Sequence, residues 1–289
     1  MAWQRWRERA IESTIQLCGI SSIAIVALIF LFLAKEGLAL FRTVSLAHVL
    51  GGHYWYPISD PPQFGILPLL LGSCWVTAGA VVLSVPVGIA SALFVSEIAT
   101  GWAKEILKTG IELVAAIPSV VLGFIGMSVL APTIKHAFGL PTGLTALTGS
   151  LTLAFMAMPT IVSITEDALT AVPRGHREAA LALGATRWQM MWRVLLPAAG
   201  SGIVAAVMLG IGRVIGETMA VMMVTGNAAV IPHTFVRPVR TMTATIAAEM
   251  GETVRGSDHY AALFAIGIVL FIISFAINLI ADLFLHRER

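Results

Sequence analysis

The sequence predicts an all-α membrane protein with six transmembrane helices, and three observations carry that prediction. The 289 residues are 57% apolar and 12% charged, where a soluble domain carries about 25% charged residues; mean hydropathy is +0.88. The charges are gathered into clusters, and the charge-free runs between them can cross a bilayer core of about 30 Å, which takes roughly 20 helical residues. Lysine and arginine also fall unequally on alternate sides of those runs.

Ser13 to Ala34, between Glu12 and Lys35, is the first span. It exceeds an ordinary signal-peptide core, and no small-x-small site precedes Lys35-Glu36, so it reads as an uncleaved anchor. Residues 35 to 64 form an outer loop with Tyr54, Trp55 and Tyr56 as interfacial aromatics. Pro61 to Ser96 holds the end of that loop and a long tilted second helix. Leu113 to Ile134 is the third span and about Gly143 to Thr165 the fourth. The fifth starts near Ala198 and contains Arg213 and Glu217, and His259 to Ala281 is the sixth. Residues 226 to 258 make a second outer region, in which Thr241 to Met250 is helical in character and apolar enough to dip into the membrane. No repeat, low-complexity tract or soluble domain interrupts this order.

Orientation follows from the basic residues. With a cytoplasmic N-terminus, the inner segments hold Arg5, Arg7, Arg9, Lys104, Lys108, Arg174, Arg177, Arg187, Arg193, Arg287 and Arg289. The outer ones hold only Lys35, Arg42, Lys135, Arg237, Arg240 and Arg255. Both termini are then inside. The net charge of +2 and the lack of a dense basic cluster argue against nucleic acid. Cys18 and Cys74 lie near opposite membrane faces and read as two small buried hydrophobes rather than a disulfide.

Several chemistries are missing from the chain. No lysine follows a glycine, so the phosphate-cradling Gly-Lys-Ser/Thr loop is absent. No histidine precedes a glutamate, no serine sits in a nucleophile elbow, and the seven histidines lack metal-ligand spacing. Neither a catalytic set nor a metal site is expected.

The chemistry that is present lies in the fifth span and the loop before it. Arg213 and Glu217, four residues apart, are expected on one helix face. Central charges cost about 2.5–3.5 kcal/mol each in a bilayer, so they must face protein or water. They are either a structural ion pair between spans or the lining of an anion path. A guanidinium matches two oxygens of an oxyanion at once, and a neighbouring glutamate limits how tightly the anion is held. Small residues recur at four-residue spacing, Ala198, Gly202, Ala206 and Gly210 on one line, Gly212, Gly216 and Ala220 on another. Such lines permit close helix packing, as where spans of two subunits meet. Glu166 and Asp167 end the fourth span as interfacial charges, partners for nearby arginines, or parts of a gate, and Glu112 is interfacial.

Between the fourth and fifth spans, Pro173 can open a helix, Ala179 to Leu183 are strong helix formers, and Gly184 supplies a left-handed stop. Thr186 can cap a second helix, which Pro197 closes. The reading open beside a docking surface is an amphipathic helix on the inner membrane face.

Glu178-Ala179-Ala180, Gly184 and Leu196-Pro197 resemble, in kind and spacing, the EAA loop of bacterial ATP-binding-cassette (ABC) importer permeases. Phe64 to Gly72, Ile111 to Leu113, Ile117 to Phe124, Met158 to Ile161, Glu166 to Leu169 and Ala182 to Trp188 are similar to phosphate importer permeases of the PstC type. Gly212 to Val221 is the closest match, and the likeness runs over residues 64 to 285. The resemblance implies the architecture of a type I ABC importer permease in the bacterial inner membrane. It implies a tail, first helix and outer loop over 1–62, and a transport core over 63–289 with a coupling loop at 172–197. Glu178, Ala179, Ala180 and Gly184 would couple to the ATPase, and Arg213 and Glu217 would belong to the translocation path. Implied partners are a homologous permease (PstA type), an ATPase dimer (PstB type) that hydrolyses ATP with Mg, a phosphate-binding protein (PstS type) and membrane lipids. No cofactor would be bound by this chain itself. Permeases for molybdate, sulfate or phosphonate, a membrane-embedded lipid enzyme and a sensing membrane protein are the alternatives.

Overall fold

The computed structural model describes the backbone of residues 2–287 and the side chains of 11–280, 282 and 283. In chain order the helices are α1 (Ala2–Gly37), α2 (Leu46–Gly51), α3 (Leu67–Leu93), α4 (Trp102–Ala115), α5 (Ser119–Ile125), α6 (Ala131–Phe138), α7 (Ala146–Ala171) and α8 (Arg174–Ala182). They continue with α9 (Arg187–Met190), α10 (Leu196–Ala198), α11 (Gly200–Gly216), α12 (Met219–Val224), α13 (Met242–Glu249) and α14 (Asp258–Arg287). Two short strands, β1 (Trp55–Tyr56) and β2 (Gln63–Phe64), pair antiparallel between α2 and α3. Among the described residues five helical stretches can cross a membrane: Ile11–Arg42, Leu67–Ile98, Ser119–Phe138, Ala146–Ala171 and Asp258–Ile280. The pair Arg187–Ala198 and Gly200–Gly216, bent by 74°, makes a sixth when counted as one span.

The spans differ from expectation at two points. The third begins at Ser119, because Pro118 lacks an N–H and pushes Ile117 out of the helical region. Trp102 to Ala115, with Glu112, becomes a separate helix that buries no residue. In the fifth, the helix pauses at Ala199, two residues after Pro197, and α11 starts only at Gly200. The prolines Pro68 and Pro132 sit where they are tolerated, in the first turns of α3 and α6.

α3 and α7 form the centre and run in the same direction. Ser150 Oγ donates to Val76 O at 3.1 Å, and further along Gly88 lies against Ile161. Gly210 of α11 closes on the same Ile161, where a Cβ would stand 2.7 Å from Cγ1, so the line through Gly202 and Gly210 packs within this chain. Gly212 and Gly216, on the other line, have open space beside them.

Three apolar layers stack along these helices. Leu40, Val49, Trp55, Phe64, Leu69, Met242, Leu263 and Ile266 fill the end that carries the hairpin. Val76, Leu153, Ile161, Val214 and Val221 fill the middle. Leu93, Leu169, Val172, Met190 and Leu195 fill the end that carries the Glu178 loop. Cys18 and Cys74 are free, and both lie on exposed faces instead of being buried. Arg289 lies outside the described residues, as do the side chains of Arg5, Arg7, Arg9 and Arg287.

Candidate functional site

α11 ends at Gly216, and Glu217 is extended at φ −71°, ψ 133°. The expected i, i+4 pair on one helix face therefore does not form: Arg213 is in the last turn of α11 and Glu217 lies beyond its end. Both polar ends of Glu217 find partners outside α11. Thr243 Oγ1 donates to Glu217 O at 2.8 Å. The Glu217 carboxylate turns forward to accept from Ala220 N at 3.1 Å, which satisfies a first-turn donor of α12 and places negative charge at a helix N-terminus.

Arg213 is half-buried. Its Nη1 donates to Thr160 Oγ1 of α7 at 3.2 Å, next to Pro159. Among the described residues no carboxylate lies within ion-pair distance of Arg213. A guanidinium has five N–H donors, of which this bond engages one, and the neighbouring Gly212 and Gly216 face open space. Thr160 carried no separate sequence signal; its hydroxyl matters only because α7 and α11 cross there.

Glu166 is 4% exposed rather than solvated, and the cations that meet it are lysines instead of the expected arginines. Lys104 Nζ and Lys108 Nζ of α4 reach its two oxygens at 3.1 and 2.9 Å. The hydrogen bond to Glu166, then the charge of that carboxylate, hold the Lys108 pKa above the ordinary lysine value. Asp167 is exposed, 3.8 Å from Lys108. The burial has a simple cause: α4, released from the third span by Pro118, folds its lysines back over the end of α7.

The Glu178 loop is built as expected, with one shift. Pro173 stands at the N-cap of α8, one residue before the helix. Glu178 and Ala179 are exposed while Ala180 is buried. Gly184 has φ +83°, the left-handed turn that a Cβ disfavours. Thr186 and Gln189 make a reciprocal capping box that starts α9. The turn leaves Leu183 89% exposed, and the exposed rings of Trp188 and Trp192 lie 5.4 Å apart. Exposed apolar groups grouped on a charged loop are what a protein or membrane contact surface presents.

That loop is tied to the body by a pair the sequence did not single out. Arg177 Nη2 lies 2.9 Å from Glu97 Oε1, at the loop end of the second span. Arg177 also donates to Val172 O at 2.7 Å and Leu169 O at 2.8 Å, capping the last carbonyls of α7. The available signal was Glu97 standing immediately after the long charge-free run.

One outer-loop residue differs from expectation, and the helix expected after Thr241 is present. Tyr54 and Tyr56 are exposed, but Trp55 is 2% exposed and donates to Glu249. Thr241 caps α13, whose residues Met242 to Thr245 are buried against the other helices.

Residues 84–289 match the family described as binding-protein-dependent transport system inner membrane component. A probable ABC transporter permease protein, YqgH of Bacillus subtilis, is 41% identical over 94% of this chain and 89% of its own length. A phosphate transport system permease protein PstC of Mesorhizobium japonicum is 36% identical over 81% of this chain and 76% of its own. Its Haemophilus influenzae namesake is 30% identical over 99% and 95%. Among solved structures, a bacterial ABC transporter involved in alginate import superposes with TM-score 0.65 at 16% identity, covering 98% of this chain and 99% of that one. The MetNI methionine ABC transporter gives 0.58 at 19% identity, covering 80% and 100%. At these identities the structures share the fold alone.

Proposed function

We infer that this chain, which belongs to the family of binding-protein-dependent transport system inner membrane components, is the transmembrane permease subunit of an ATP-driven phosphate importer. The observation that carries this is Arg213, the one basic residue deep in a span, held by a threonine hydroxyl and facing no carboxylate among the described residues. Relatives that cover most of the chain and are named phosphate transport permeases supply the anion's identity. In this reading phosphate passes the guanidinium at the break in the fifth span, and Glu217 keeps the anion from dwelling there.

The chain is not itself an enzyme and binds no cofactor. ATP and Mg belong to a PstB-type ATPase, which docks on the loop of residues 172–197 through Glu178, Ala179, Ala180 and the turn at Gly184. A PstA-type permease covers the open Gly212 and Gly216 side of α11, and a PstS-type binding protein delivers phosphate at the hairpin end. Residues 1–62 form a tail, anchor and outer loop, and 63–289 the transport core. Both termini and the Glu178 loop face the cytoplasm.

Labelled-phosphate uptake by the four-component system in proteoliposomes tests the substrate, with sulfate, molybdate and phosphonate as competitors. Transport of one of those anions without phosphate would leave an importer of a different oxyanion. Orientation is tested on Ile58→Cys and Leu183→Cys, each at a residue 89% exposed, with Cys18 and Cys74 changed to alanine. A membrane-impermeant thiol reagent added to intact cells should modify the first and spare the second; the reverse pattern would invert the topology.

A further inference from the structure

α13 ends on Glu249, although the carbonyl end of a helix disfavours negative charge. Three donors from three other segments converge on this carboxylate. Trp55 Nε1 of the hairpin lies 3.2 and 3.1 Å from its two oxygens. His259 Nε2, in the first turn of α14, is 2.8 Å from Oε2. Arg240 Nη1 reaches Oε1, while its Nε donates to Asn227 O at 3.1 Å. The Arg240, Glu249 and His259 side chains are only 22%, 17% and 17% exposed, a setting in which such a network is stiff.

The other end of α13 touches the candidate path. Thr241 caps the helix, Met242 N donates to Ser73 Oγ at 2.9 Å, and Thr243 Oγ1 donates to Glu217 O at 2.8 Å. From Thr243 to Glu249 runs uninterrupted helix, which moves as a short rod.

We propose that Glu249 is a positioning residue for the transport path: clamped by Trp55, Arg240 and His259, it fixes α13 and thereby holds the break in the fifth span at Glu217. This rests on reading Arg213 and Glu217 as path residues. It makes the hairpin, through one indole N–H, part of the machinery that sets the shape of the path. The hairpin end can then bias the broken span without touching the anion.

The test reads the break directly. In the assembled complex, in detergent and free of Cys18 and Cys74, Thr218→Cys reports access to the break by its rate of thiol modification; Trp102→Cys, at a residue 76% exposed and outside both the coupling loop and the path, is the control. Glu249→Gln keeps the shape and removes the charge. It should speed modification at 218 at least about fivefold, the lower end of ordinary site-to-site coupling, and leave 102 unchanged. Trp55→Phe, which deletes one donor and keeps a ring, and Thr243→Val, which cuts the other end of the rod, should act in the same direction. Added to Glu249→Gln they should contribute little more, because all three break one path. An unchanged rate at 218 in Glu249→Gln and Trp55→Phe overturns the proposal, as does full additivity of Glu249→Gln with Thr243→Val. A complex that moves no phosphate would sink the substrate assignment and leave this measurement intact.

Discussion

The loop of residues 172–197 and the break at residues 216–219 both stop one helix and start another, but from different materials. In the loop the stops and starts are local. Gly184 takes φ +83°, Ala185 N returns to Ala180 O, and Thr186 and Gln189 cap each other. At the break the local bond from Ala220 N to Glu217 is joined by partners distant in sequence. Glu217 O is held by Thr243 and Arg213 by Thr160, 26 and 53 residues away. A locally coded turn can keep its shape while a partner pulls on it, which suits a docking element. A break held by distant contacts changes whenever those contacts move, which suits a path that must open and close.

The largest expected effect lies at the break. Arg213→Gln should abolish phosphate uptake while assembly stays intact, a loss of ~100-fold or more for a desolvated charge contact of roughly 3 kcal/mol. Uptake at the wild-type rate would put the path elsewhere and reduce the break to architecture.

Next comes the long-range ion pair of the loop, Arg177 with Glu97. Arg177→Met leaves Glu97 unpaired and two carbonyls uncapped, costing roughly 2–3 kcal/mol. ATPase binding should persist while transport per ATP hydrolysed falls. If coupling were unchanged, the loop would be self-sufficient and the contrast with the break sharper still.

Gly184→Val tests local coding itself. Nothing lies within 4 Å of a Cβ there, so the cost is backbone strain alone, about 1–2 kcal/mol. Membrane insertion should be normal and uptake lost or strongly reduced. Gly184→Asn, which tolerates the left-handed region, should be milder; equal damage from both would mean the side chain obstructs the partner instead of straining the turn.

The smallest effect is expected from Thr186→Ala, which removes half of a capping box for about 1 kcal/mol. Uptake should fall modestly, by severalfold at most, and ATPase pull-down should survive. Complete loss would show that the hydroxyl contacts the ATPase directly.

Much of the molecule was legible in the order of its residues. Charge-free length sets where helices can cross a bilayer, so the first, second, fourth and sixth spans fall on their expected runs, although the first continues to Arg42 and the fourth to Ala171. The loop was legible because proline, glycine and threonine act on their neighbours within four residues. Arg213 stood out because a charge deep in an apolar run is too costly to sit against lipid and must face protein or water.

Other features required the packed body. The sequence placed Arg213 and Glu217 on one helix face; in the folded chain the helix ends between them, and Thr243, on a segment far along the chain, donates to Glu217 O. Glu166 became a buried carboxylate only when the break at Pro118 let α4 swing Lys104 and Lys108 over it. Trp55 left the membrane interface for Glu249 because α13 and α14 bring Arg240 and His259 to the same carboxylate. Sequence alone determined the features whose causes act over one helical turn or one bilayer thickness. Hydrogen bonds between segments tens to hundreds of residues apart are absent from any local pattern, and only the tertiary structure decided them.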